Sequence, residues 1–295
     1  MSSIVRLVPP RWRRRLRPWL LVLPGALVIG LVFGYPLVEL VRLSVRNSFT
    51  GEFIGGANFE SVFRDDTFWL ALKHNGLLLL VVPITTVLAV TLAIFLFEGV
   101  RGGSLYRVLV FLPLTIGVPV TGTVWSLMLE RNGGLNSILG GVGLGGLAQD
   151  WLGSVSLALW SVLAVIVWQQ LGFGVVLFLA RLLSIPPELF EAARLDGARW
   201  FRLHWRVTIP QLRGVLQFYV VLMTITMVSW VFGFVYVITG GGPADATTVA
   251  ELHVYRLAFS FNQIGIASAA ALLLFAAVFL FVIAFFRITR KEEMG

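Results

Sequence analysis

The sequence predicts an all-α membrane protein with six transmembrane helices and both termini cytoplasmic. Three observations carry that reading. Hydrophobic residues make up 58% of the 295-residue chain against 13% charged, with a mean hydropathy of +0.89, and that charge content is about half the value usual for soluble domains. The apolar residues gather into six stretches free of Lys and Arg, each long enough to cross a hydrocarbon core roughly 30 Å thick, which takes about 20 helical residues. Lys and Arg are distributed unevenly between the two sides of these stretches. The same composition excludes a disordered chain and, with no cysteine at all, a disulfide-stapled secreted scaffold. It also excludes an ordinary cytosolic enzyme, which could not cover so much apolar surface. The short alternating segments of a membrane β-barrel are absent.

The elements follow in order. Residues 1–18 are a basic tail with Arg6, Arg11, Arg13, Arg14, Arg15 and Arg17. A segment 19–74 holds the first span, 19–41, and all but the last residue of an extracytoplasmic loop, 44–75, with Phe59, Phe63, Phe68 and Trp69 and a short helix predicted near 68–74. A basic start before an apolar run is also the pattern of a secretory signal, but the run exceeds the usual h-region and no small-x-small cleavage site precedes a polar sequence; a retained anchor is expected. The core, 75–290, carries spans 76–97, 108–129, 155–180, 215–238 and 264–286. Glu39 is the only acidic residue inside any span, and no Lys or Arg lies in one. The outer loop 130–154 is glycine-rich, and a third outer loop begins Gly240-Gly241-Gly242-Pro243, both patterns of turns and mobile connections. Seventeen of the 23 basic residues fall on the side of the amino terminus and six on the other, which by the positive-inside rule makes both ends cytoplasmic. The net charge of +8 therefore reflects topology, and no nucleic-acid partner is expected.

The cytoplasmic loop 181–214 differs from the others in being long and amphipathic. Pro187 suits a helix's first turn, Glu188 and Glu191 suit its positive end, and Gly197 suits the left-handed residue that stops it. A helix of two to three turns, an abrupt stop and a second segment are predicted. Local chemistry leaves open an interfacial helix lying on membrane lipid, with Leu189, Phe190, Trp200 and Phe201 buried and the arginines at the headgroups.

Within this loop Glu191-Ala192-Ala193, three residues, Gly197, nine residues, and Val207-Thr208-Ile209-Pro210 resemble the EAA signature of bacterial ABC importer permeases, with Val207 and Ile209 as conservative departures. Tyr35-Pro36-Leu37, Ser48-Phe49, Asn58-Phe59, Pro113, Thr239 to Pro243, Thr247-Thr248, Tyr255-Arg256 and Gly265 to Ala269 are similar to carbohydrate-uptake permeases of the maltose and glycerol-phosphate type. The resemblance implies the type I importer architecture. It implies a second, homologous permease subunit, two ATP-binding subunits that hold ATP and magnesium, an extracytoplasmic solute-binding protein and a carbohydrate substrate. Glu191, Ala192, Ala193, Asp196, Gly197 and Pro210 would then be the residues that couple to the ATPase.

Other chemistry is largely excluded by the residues themselves. A P-loop needs Gly-Lys-Ser/Thr, and the two lysines, Lys73 and Lys291, follow Leu72 and Arg290, so no catalytic residues and no cofactor are expected in this chain. His74 and His253 are placed across the membrane from His204, which argues against a shared metal site. No Gly-x-Ser-x-Gly elbow occurs. Spans without acid or base pairs disfavour proton coupling, leaving a neutral-solute secondary transporter as the alternative function and an uncoupled pore or scaffold third. For a substrate pathway the candidates are Trp168, Gln169, Gln170, Gly172 and Phe173 in the fourth span, with Thr224, Ser229 and Trp230 in the fifth. Amides and aromatic faces suit a hydroxyl-rich neutral ligand; interhelical hydrogen bonding is the alternative role, favoured for Thr224.

Overall fold

The computed structural model describes residues 22–99 and 102–293. The basic tail, the first residues of span one and Arg101 lie outside them. Among the described residues five helices are long and apolar enough to cross a membrane, and a sixth crossing results if one sharply bent pair counts as a single span. The chain divides into two compact units, Met1–Arg64 with Leu257–Leu273 and Asp65–Arg256 with Leu274–Gly295.

In the first unit α1 (Val22–Ser44) is apolar and exposed on nearly every side, as a helix solvated by lipid is, and widens into a π-helical turn at Gly30–Gly34. Its end is fixed by α2 (Ala57–Phe63), from which Asn58 Nδ2 donates to the carbonyls of Ser44 and Arg46 at 2.8 Å each. The Gly265 amide donates to Ser48 Oγ at 2.8 Å, and a side chain at 265 would collide with the Arg46 carbonyl and the Asn58 amide. Three of the residues behind the carbohydrate-permease resemblance thus meet in one joint.

In the second unit Asp65 Oδ1 caps α3 (Asp66–Leu78) by accepting from the Thr67 amide. This helix runs on into α4 (Val81–Phe97), giving one apolar element of 32 residues. The short helix expected near 68–74 and the span expected from 76 are therefore continuous. The third expected span, 108–129, is not straight: α5 (Gly103–Thr115) and α6 (Val118–Leu129) meet at 106°. Pro113, Gly117 and Pro119 crowd this point, and together they remove two amide donors and favour extended backbone between. After α7 (Gly134–Gly141) come α8 (Ala158–Leu183), α9 (Pro187–Leu195) and α10 (Trp200–Leu203). A π-helical turn at His204–Thr208 joins α10 to α11 (Ile209–Ser229). The fifth expected span, 215–238, breaks at Trp230, and α12 (Val231–Ile238) continues it. A short α13 (Ala250–Tyr255) precedes α14 (Ile264–Glu293).

The core is built on α4 and α8, the most extensively packed pair. Small residues permit the approach: Ala89 and Ala93 of α4 are fully buried, and Gly174 of α8 lies against Ala89. Phe178 and Tyr219, edge to face at 5.1 Å, fill the space towards α11.

Candidate functional site

The 181–214 loop folds as its local chemistry predicts. Pro187 opens α9 with Glu188 in the first turn, and the helix stops at Gly197, whose φ is +75°. The amides of Gly197 and Ala198 donate to the carbonyls of Arg194 and Ala193 at 3.0 Å, satisfying the helix end. Glu191, Ala192, Asp196 and Gly197 face outward, and so does Pro210 in the first turn of α11. Ala193 is half-buried and packs against the core. Leu195 is 89% exposed, an apolar side chain held in the open beside Asp196. Of the four residues that an interfacial helix would bury in lipid, Phe190 is instead packed inside, its ring 5.3 Å from that of Phe97, while Leu189, Trp200 and Phe201 remain exposed.

Behind this helix lies a polar knot that no local pattern in the sequence marks. Glu98, immediately after α4, accepts from Trp200 Nε1 at 2.6 Å through Oε2 and from His204 Nε2 at 2.9 Å through Oε1. On its other side His204 Nδ1 lies 2.9 Å from Thr208 Oγ1. His204 and Thr208 are buried, and the Trp200 ring meets Phe95 at 5.9 Å and His204 at 4.6 Å. Sequence separations of 102 and 106 residues hide such pairings from any local pattern.

The fourth-span candidates line several contacts at the middle of α8. Trp168 meets Trp125 edge to face at 5.3 Å. Gln169 is buried; its Nε2 donates to the Ile116 carbonyl at 2.9 Å, at the break between α5 and α6, while its Oε1 has no protein partner. Gln170 is half-buried. Gly172 faces the Val110 carbonyl so closely that no side chain would fit, and Phe173 stacks on Tyr219 at 6.0 Å. The fifth-span candidates do not join this group: Thr224 is buried, Ser229 and Trp230 are exposed, and none shares a hydrogen bond or ring contact with it.

A second polar cluster ties α3 to the 239–256 segment. Asn75 donates to both Glu251 oxygens at 3.0 and 3.2 Å and accepts from the Ala250 amide. His74 Nδ1 lies 2.8 Å from the Thr248 carbonyl, and His253 Nε2 lies 2.8 Å from Asp65 Oδ2. Asp245 accepts from Thr248 Oγ1 and from Arg256 Nη1, at 2.8 and 2.6 Å. Burial alone would raise the Asp245 carboxyl, but the Thr248 hydrogen bond and the Arg256 guanidinium outweigh it and hold it below the usual range. Burial raises the Glu251 carboxyl, against the hydrogen bonds from Asn75.

Residues 77–292 match the family of binding-protein-dependent transport system inner membrane components. The chain belongs to that family. This permease is 35% identical to the diacetylchitobiose uptake system permease protein NgcF of Streptomyces coelicolor, over 82% of this chain and 72% of that one. It is 33% identical to a probable ABC transporter permease of Brucella suis, over 96% and 100%, and 30% identical to the trehalose/maltose transport system permease MalF of Thermococcus litoralis, over 95% and 96%. Its fold matches a chain in the crystal structure of a bacterial ABC transporter that imports the acidic polysaccharide alginate, with a TM-score of 0.82, 22% identity and coverage of 96% and 99%. As an ABC transporter permease of the inner membrane, it leaves the secondary-transporter alternative behind.

Proposed function

We propose that this permease carries a sugar or sugar-like solute across the membrane in an ATP-driven importer, and that it hydrolyses no ATP itself. Two cytoplasmic subunits bind ATP and magnesium, a second, homologous permease completes the transmembrane pathway, and an extracytoplasmic binding protein delivers the solute. Both termini are cytoplasmic. The observation that carries the coupling role is α9: a rigidly stopped helix whose inner face is anchored by Phe190 and whose outer face presents Glu191, Ala192, Leu195 and Asp196. An exposed leucine beside carboxylates suits a groove with an apolar floor and basic rim. Relatives named for diacetylchitobiose and trehalose/maltose uptake support the solute class.

The pathway runs past Trp168, Gln169 and Gln170, where the unpartnered Gln169 Oε1 is an acceptor for a sugar hydroxyl. The test is co-purification and transport by the complete complex. Glu191→Lys reverses a charge at the contact, Ala192→Trp fills it, and Gly197→Val strains a left-handed residue by about 1–2 kcal/mol where a Cβ meets nothing within 4 Å. Each variant is expected to lose the ATPase or uncouple it. Three variants that co-purify and transport like the parent would refute the coupling role.

A further inference from the structure

We infer that Glu98 is a positioning residue for energy coupling: its carboxylate holds the segment that follows the coupling helix and passes that helix's displacement to α4. The inference rests on the importer reading above.

Phe190 and Leu203 anchor this region by apolar burial in the core. The knot around Glu98 is different, because it joins the end of α4 to the α10 segment through two hydrogen bonds on a single carboxylate. Recesses flank it. One of about 320 Å³ is lined by Val90, Ile94, Trp200, His204 and Trp205, and one of about 620 Å³ by Phe97, Glu98, Phe190, Glu191 and Arg194. Between these recesses the segment is held by the directional contacts at Glu98 together with the burial of Leu203, His204 and Thr208.

Glu98 also sits at the carboxyl end of α4, where the helix dipole disfavours a negative charge. The helix itself gives no reason for a carboxylate at this position, whereas Trp200 and His204 do. Both donors lie between Gly197, which ends the coupling helix, and Pro210, which opens α11. The His204 ring, bonded through one nitrogen to Glu98 and through the other to Thr208, carries the connection into the π-helical turn. A push on α9 therefore reaches α4 through Glu98 as well as through α11.

The experiment uses the complete complex with its binding protein, comparing basal with solute-stimulated ATPase and counting ATP hydrolysed per solute imported. The parent complex has to show stimulation; without it the importer reading fails, and this inference with it. Glu98→Ala and His204→Ala are expected to assemble normally yet lower the ratio of stimulated to basal activity at least about fivefold, the low end of coupling between sites. The double variant is expected to be no worse than either single one, and Glu98→Gln, which keeps one acceptor, to fall between. Trp200→Phe, removing only an N–H, serves if the alanine variants do not assemble. A parent-like ratio in the assembled variants would overturn the proposal. So would transport that falls only in proportion to the amount of complex formed, since that marks a merely structural contact.

Discussion

Adding one methyl group at Gly174 tests the packing on which the whole transmembrane core depends. A Cβ built there lies 2.7 Å from the Ala89 Cβ and 2.9 Å from the Tyr219 ring and hydroxyl. Ordinary contact begins at 3.4 Å, so α4 and α8 must part by about 0.7 Å, the difference between 3.4 and 2.7. Ala89 has no rotamer to yield, and Tyr219 is fully buried between Phe173 and Phe178. Overpacking of this kind costs about 1–3 kcal/mol, while replacing a mid-helix glycine by alanine returns about 1 kcal/mol of propensity. Gly174→Ala should therefore destabilise by up to about 2 kcal/mol, and Gly174→Val by more.

Gly214→Ala, with nothing within 4 Å of its Cβ, should instead stabilise slightly. Ala89→Gly added to Gly174→Ala should recover part of the loss by removing the nearest collision. Thermal unfolding of the purified chain in detergent, followed by the fluorescence of its 10 tryptophans, reads all four. If Gly174→Ala unfolds like Gly214→Ala, close α4–α8 packing is not what holds this core.

Three further outcomes are expected. Single cysteines at Ser61 and Ser184, in a chain that has none, should react with impermeant reagent from opposite faces of an intact membrane; reaction of both from outside would reverse the orientation. Gln169→Leu should impair transport more than Gln170→Leu, because it also strips the Ile116 carbonyl of its donor, and uptake assays at matched expression would show equal effects if only the solute contact mattered. Because the Asp245 carboxyl is held low in the fold, its contribution is present above its unfolded value and lost as the pH drops through the folded one. Asp245→Asn should therefore speed hydrogen exchange of 239–256 relative to the parent at neutral pH, and that difference should close as the pH falls through the folded value; equal rates at neutral pH would refute the role of the carboxylate.

The parts of the fold readable from sequence are those decided within a few residues. The α9 helix was legible because Pro187, Glu188 and Gly197 each act on their own turn, and the spans because hydrocarbon demands long uncharged runs. The bend at residues 116–118 was written in Pro113, Gly117 and Pro119 yet passed over, since proline and glycine are tolerated in membrane helices when neighbours satisfy the freed backbone. The break at Trp230 has no such marker: no glycine or proline lies between 227 and 232. At the sites, the outward face of α9 followed from the motif resemblance. The knot at Glu98 and the pairs Asn75–Glu251 and Asp65–His253 did not, because their partners lie more than 100 residues apart and neither periodicity nor composition links them. Thr224, Ser229 and Trp230 share a span but not an environment, the first being buried and the other two exposed, and composition alone does not separate them.

The contact between Gln169 and Ile116 also sets a rule for how this sequence can drift. A carbonyl released by a broken helix costs several kcal/mol in hydrocarbon when nothing donates to it, so the amide at 169 and the break at 116 form one heritable unit spread over two helices. A descendant that loses the glutamine keeps its stability only by straightening residues 113–119 or by recruiting another donor to the same carbonyl. Across related permeases, then, an amide at the position of Gln169 should rise and fall together with the proline and glycine at the positions of Pro113 and Gly117.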